Sequence, residues 1–167
     1  MIKNIVWLGL MMLSGLSSMA YASLTIPMYF VQNGTKSIGY VTADDTLYGV
    51  LFTPHLRYLP PGIHGFHVHT CQSCAMQGEM AGDHLGLQGI RTHNGPYKGN
   101  SHLGDLPVLI VNAKGRAELP ILAPRLKLEN IKGRTLMIDA GGDNYSDIPK
   151  ANGGGIFRLA CGEIPYY

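Results

Sequence analysis

The chain has 167 residues, with 13 Lys and Arg against 11 Asp and Glu, for a net charge of +2 with neutral histidines. That balance gives no argument for nucleic acid as a partner. A hydrophobic share of 46% is enough for one domain with a real core.

The first residues read as a segment that is not part of the fold. Lys3 is a positive start, Ile5 to Leu16 are mostly apolar, and Met19-Ala20-Tyr21-Ala22 is a small-x-small ending. Residues 1–22 are therefore expected to be a secretory signal peptide cut after Ala22. Its apolar run is short for a membrane span. Removing 22 of the 167 residues leaves 145, and the net charge falls to +1 because Lys3 is the one charge lost. No second long apolar run follows. The mature chain is thus expected to be soluble, one domain over residues 23–167, with no membrane contact after cleavage.

Short strands follow in order. Leu24 to Gln32 is rich in β-formers and runs into Asn33-Gly34, a hairpin signal. Ser37 to Thr42 and Tyr48 to Thr53 are next, and Ile63 to His69 is the fourth. Val108 to Asn112 and Ala117 to Leu122 flank Lys114-Gly115, another turn signal. Arg134 to Asp139 and Ile156 to Cys161 complete the set. No segment carries an amphipathic helical period over three turns. The pattern predicts an all-β domain, an antiparallel sandwich or flattened barrel. Two long irregular stretches interrupt it, Thr70 to Asp105 and Ala140 to Gly155. Loops of that length on a sheet scaffold are a common way to build a site.

Export implies an oxidising compartment, where a disulfide persists. The three cysteines permit one bond and one leftover. Cys71 and Cys74 are close in sequence, so Cys161 is expected to pair with one of them. The spare thiol could be inert, could pair between chains, or could sit near a metal.

Six of the seven histidines fall between Pro60 and Asp105: His64, His67, His69, His84, His93 and His102. Any one alone reads as a surface residue; six together call for metal, because imidazole is the commonest side-chain metal ligand near neutral pH. On a strand, His67 and His69 project from one face. His84, His93, His102 and Asp105 offer three imidazoles and a carboxylate, a closed tetrahedral set suited to Zn²⁺. The plain alternative for Asp105 is that it caps the next strand.

The ordered segments LPPGIHGFHVHTCQSC, GDHLG, THNGP, SHLGDLP, LAPRLK, GGDNYSD and GGGIFRLACGEI resemble the bacterial copper-zinc superoxide dismutase family over nearly the whole mature chain. The resemblance implies a Greek-key β-sandwich with two long functional loops, copper and zinc as cofactors, superoxide anion as substrate, and a periplasmic location. It implies His67, His69 and His84 as copper ligands, and His84, His93, His102 and Asp105 as zinc ligands. Asp143 matches the carboxylate that orients ligand histidines of both metals. Cys74 and Cys161 match the family's disulfide. Arg158 matches the arginine that attracts superoxide to the copper channel, and His84 the bridging ring that takes a proton in the cycle. His64 matches a structural histidine. A homodimer is compatible with the sequence.

Besides Cys71, two residues beyond His69, one consequential position departs from the family pattern. Its fourth copper histidine falls where RTLMIDAGGDN places Asp139. A carboxylate is a harder donor than imidazole and puts a negative charge beside an anionic substrate. Three outcomes follow: copper bound with Asp139 as a weak fourth ligand or none, giving a dismutase of impaired activity; Zn²⁺ bound instead in a non-catalytic relative; or Cys71 recruited as a soft ligand in a copper-holding protein. The strength of the remaining match favours the enzyme.

Overall fold

The computed structural model describes residues 22–34, 36–86 and 92–167. Apart from Ala22, the expected signal peptide lies outside the described residues. The described residues form nine strands: β1 (Ser23–Phe30), β2 (Ser37–Thr46), β3 (Gly49–Leu56), β4 (Gly62–His64), β5 (Phe66–His69), β6 (Leu109–Val111), β7 (Ile121–Ala123), β8 (Thr135–Asp139) and β9 (Arg158–Glu163). The α-helix among the described residues is one turn, α1 (Leu128–Ile131). No helix among the described residues is long and apolar enough to cross a membrane.

Seven strands form one antiparallel sheet in the order β5-β8-β9-β1-β2-β3-β7, and β4 pairs with β6 in a separate ribbon. Non-consecutive neighbours such as β5 beside β8 and β9 beside β1 require the crossovers of a Greek key. Alternation drives the layering. In β1, Leu24, Ile26 and Met28 are buried while the residues between them are exposed. Those three share one apolar cluster with Phe52 of β3, Phe66 of β5, Leu109 and Val111 of β6, and Leu136 and Ile138 of β8. Phe52 and Phe66 meet edge to face at 5.7 Å between ring centres.

The expected strand Ile63 to His69 is in fact two. Gly65 separates β4 from β5, and its N–H donates to Gly141 O at 2.8 Å instead of to a ladder partner. β5 then runs along β8, so His67 stands opposite Met137 and His69 opposite Thr135. The chain on either side of Gly65 therefore serves different sheets. Isolated bridges pair His67 with Asp105 and His69 with His84, which lays the long loop against β5. Cys74 and Cys161 form the disulfide, and Cys71 is a free, exposed thiol.

Candidate metal centre

All four β5 residues are buried, including both imidazoles. His67, His69 and His84 bring one ring nitrogen each to within 4.8 Å of one another. His84, His93, His102 and Asp105 make a second such group, with all four residues buried. His84 belongs to both, and its ring stacks on His67 at 4.0 Å between centroids. Two adjacent donor sets thus meet at one imidazole. Cys71 is in none of the metal-capable groups among the described residues.

The hydrogen bonds leave donor nitrogens free where an ion would need them. His67 Nε2 donates to Asp143 Oδ2 at 2.9 Å, and His93 Nε2 donates to Asp143 Oδ1 at 2.8 Å. His69 Nδ1 donates to Gly82 O at 2.8 Å. The opposite nitrogens, His67 Nδ1, His69 Nε2 and His93 Nδ1, are buried without a hydrogen-bond partner, as is His102 Nδ1. Buried polar atoms are rarely left unmatched. Rings that donate from one side and present a bare nitrogen on the other are oriented as metal-ligating histidines are. Asp105 Oδ1 lies 2.9 Å from His84 Nδ1 and from His93 Nδ1, and 3.4 Å from His102 Nδ1. The residues present therefore fit zinc in the second set. In the first set three imidazoles fit copper.

The loops that aim these rings have their own supports. Asp143 has a fully buried side chain and takes a further bond from Tyr145 N at 2.7 Å. Gly153, at φ +75°, passes so close that a Cβ there would lie 2.0 Å from Asp143 Oδ1, so only glycine fits. Ser101 donates to Asp105 Oδ2 at 2.5 Å. Asp147 accepts from His93 N at 2.9 Å and from Asn152 N at 3.0 Å, tying the two loops together. Arg125 donates to the carbonyls of Ser101 and His102. Ser101, Asp147 and Arg125 were not singled out from the sequence; they lie in segments SHLGDLP, GGDNYSD and LAPRLK, but no local pattern marks their role. His64 faces the carbonyls of Pro60 and Asp139 at 2.8 and 2.7 Å. It stands beside the centre without joining either set.

Electrostatics splits the rings into two kinds. Burial opposes the cation on His67, but the Asp139 and Asp143 carboxylates outweigh it and raise the ring to about 9. Burial likewise opposes the His93 cation, and Asp105 and Asp143 raise that ring to about 9. Burial and the neighbouring His84 lower His69 to about 2. Burial and His67 lower His84 to about 4. Burial opposes the Asp105 and Asp143 anions, yet the facing histidines hold both carboxyls below the usual range. Metal must displace the proton from His67 and from His93. Uptake at each set is expected to strengthen from pH 6 to pH 9, by up to roughly tenfold per unit for each protonated ring displaced. Chelator competition across that range checks it; a flat profile would mean that both rings are already neutral in the free protein.

Arg158 and Asp139 face each other across β9 and β8. Arg158 donates to Gly78 O and, at 2.8 Å, to Gly82 O, and it lines one open cavity with His69, His84 and Asp139.

The family model described as copper/zinc superoxide dismutase matches residues 33–164. The chain belongs to the copper/zinc superoxide dismutase family. A Cu-Zn superoxide dismutase of Photobacterium leiognathi is 47% identical over 159 residues, covering 90% of this chain and 91% of that protein. One from Legionella pneumophila is 51% identical over 149 residues, covering 89% and 91%. Among solved structures, the Cu/Zn superoxide dismutase of Brucella abortus superposes with a TM-score of 0.80 at 40% identity, covering 85% of this chain and 99% of that one. The monomeric copper, zinc superoxide dismutase of Salmonella enterica gives 0.74 at 49% identity, covering 86% and 99%. The all-β sandwich read from the strand pattern is the fold of this dismutase family, and its cofactors are copper and zinc.

Proposed function

We propose that this chain disproportionates superoxide into oxygen and hydrogen peroxide at a copper held by His67, His69 and His84, beside a zinc held by His84, His93, His102 and Asp105. The observation that supports it most is the pair of donor sets meeting at His84, with bare nitrogens turned inward. Bound there, copper supplies the one-electron change of valence that disproportionation requires. Asp143 holds His67 and His93 in register through their Nε2–H groups. Arg158 stands in the cavity beside His69 and His84, its guanidinium steadied by two carbonyls, where it attracts and positions the anion. His84 turns Nδ1 toward Asp105, leaving Nε2 to hold a proton and pass it to the product. Asp105, His93 and His102 give their loop its order by closing on one ion.

One preparation tests this. Copper and zinc are counted per chain, and superoxide removal is assayed after copper loading. One copper, one zinc and superoxide removal are expected. Full zinc occupancy with no copper uptake and no activity would sink the proposal. The Asp139 carboxylate beside His67 favours that second reading, a non-catalytic zinc-binding relative, and the same measurement separates the two.

Steering at the cavity is opposed. Lys150 and Arg158 line it together with Glu79, Asp83 and Asp139. Two cations against three anions give little net pull on superoxide. Neutralising the exposed pair with Glu79→Gln and Asp83→Asn is expected to raise the encounter rate roughly tenfold at low salt, an advantage that fades as salt screens the mouth. No gain in the double variant would show that these carboxylates lie outside the approach path.

The apolar N-terminal segment, the disulfide and the bacterial relatives support export to the periplasm. Fractionation of the expressing cell tests it, with a cytoplasmic location as the contrary result. The Salmonella enterica neighbour is described as monomeric. A homodimer of this chain is tested by light scattering, and a single-chain mass at working concentration would exclude it.

A further inference from the structure

We propose that Asp139 biases the outer centre toward divalent ions and against cuprous copper. The inference rests on copper being the ion held by His67, His69 and His84. It adds a role for a residue whose chemistry differs from that of the three imidazoles.

The carboxylate is placed by the fold. Asp139 N donates to Gly65 O at 3.0 Å, and its carbonyl takes His64 Nδ1 at 2.7 Å. Gly65 and Gly155 press on its side chain from two sides. A Cβ on Gly155 would fall 2.5 Å from Asp139 Oδ2, and one on Gly65 would fall 2.8 Å from it. Walls that close leave the carboxylate little room to swing away. Its Oδ2 stands 3.1 Å from His67 Nδ1, a contact off the hydrogen-bond direction, so that nitrogen remains unmatched. Asp139 also opens onto the cavity lined by His69 and His84. The carboxylate therefore meets the outer set at the nitrogen that would bind the ion.

Adding Asp139 makes the outer donors three imidazoles and one carboxylate. The inner group of His84, His93, His102 and Asp105 has the same composition. Imidazole serves both copper valences, whereas a hard anionic oxygen favours the doubly charged ion. Whether Asp139 ligates directly or stays beside His67, its charge stabilises Cu(II) or Zn(II) more than Cu(I). The bias slows the half of the cycle that forms reduced copper, in which superoxide would give its electron to Cu(II), and it lets zinc compete for the outer position.

The test measures binding rather than turnover. Wild type, Asp139→Asn and Asp139→His are each loaded with one zinc. Copper affinity is then measured against a Cu(II)-selective chelator, and, with reductant and without oxygen, against a Cu(I)-selective chelator. The ratio of Cu(I) to Cu(II) affinity is expected to rise at least about tenfold from wild type to Asp139→Asn, and further in Asp139→His. The Cu(II) electron paramagnetic resonance spectrum is expected to move toward a more nitrogen-rich set in Asp139→His. The near-isosteric Asn variant keeps the comparison alive if histidine does not fit between the two glycines. Equal ratios in all chains that bind copper would overturn this inference alone. Failure of every chain to take copper in either valence would overturn the dismutase reading and this inference together.

Discussion

Asp143→Ala is expected to weaken metal binding at both donor sets in one step, by roughly 10- to 100-fold at each. The reason is geometric. One carboxylate accepts from His67 through Oδ2 and from His93 through Oδ1. Each bond fixes a ring so that Nδ1 points inward. Without Asp143, both rings gain rotational freedom and lose the acceptor that sets their tautomer. Removing the side chain also empties the space against which Gly153 packs. Separate competition titrations for zinc and copper check the result, with circular dichroism to confirm that the sheet persists. If one affinity falls and the other is untouched, the carboxylate serves a single ring in solution.

Cys161→Ser, made in a Cys71→Ser background to prevent thiol exchange, is expected to lower stability by about 4–5 kcal/mol. The disulfide joins residues 87 apart, and the chain-entropy account assigns the largest gains to long loops. It anchors the turn Met76–Ala81 to β9. That turn and its cap present the carbonyls of Gly78 and Gly82 to Arg158, so loosening it frees the guanidinium as well. Denaturant midpoints, read against a Cys71→Ser control, give the loss. Other ties also hold the segment: Cys71 N to Ala81 O at 2.9 Å, Gln72 Nε2 to Ile164 O at 2.7 Å, and Thr135 Oγ1 to Cys71 O at 2.6 Å. A loss below about 1 kcal/mol would mean that these bonds already restrain the segment, each of them being worth about that much.

Most of the strand order was legible because alternation and turn residues are local. Asn33-Gly34 sits between β1 and β2, and Leu24, Ile26 and Met28 mark the inner face as their period requires. The division at Gly65 was not legible. In Ile63 to His69 the alternation changes phase at Gly65, which a bulge within one strand would also produce, and what splits the run is Gly141, far along the chain, which takes the Gly65 N–H. The histidine concentration pointed to metal without any structure. That His84 would stand between two groups came from resemblance, because intervals in an irregular loop do not set directions. Asp147 and Arg125 escaped notice for the same reason: each acts on main-chain groups of a distant segment, and main-chain groups leave no trace in residue type. Asp139 was visible as a departure. Its closeness to His67 was not, since it depends on Gly65 and Gly155 pressing on the carboxylate from two sides.

His84 and Asp143 each touch both halves of the centre. Filling one half cannot leave the other indifferent. Thermodynamic reciprocity then requires that the factor by which the first ion alters the second equals the factor by which the second alters the first, whatever its sign. The order of loading can change how fast the protein matures, but not the final balance. A cell short of one metal would find its hold on the other altered too.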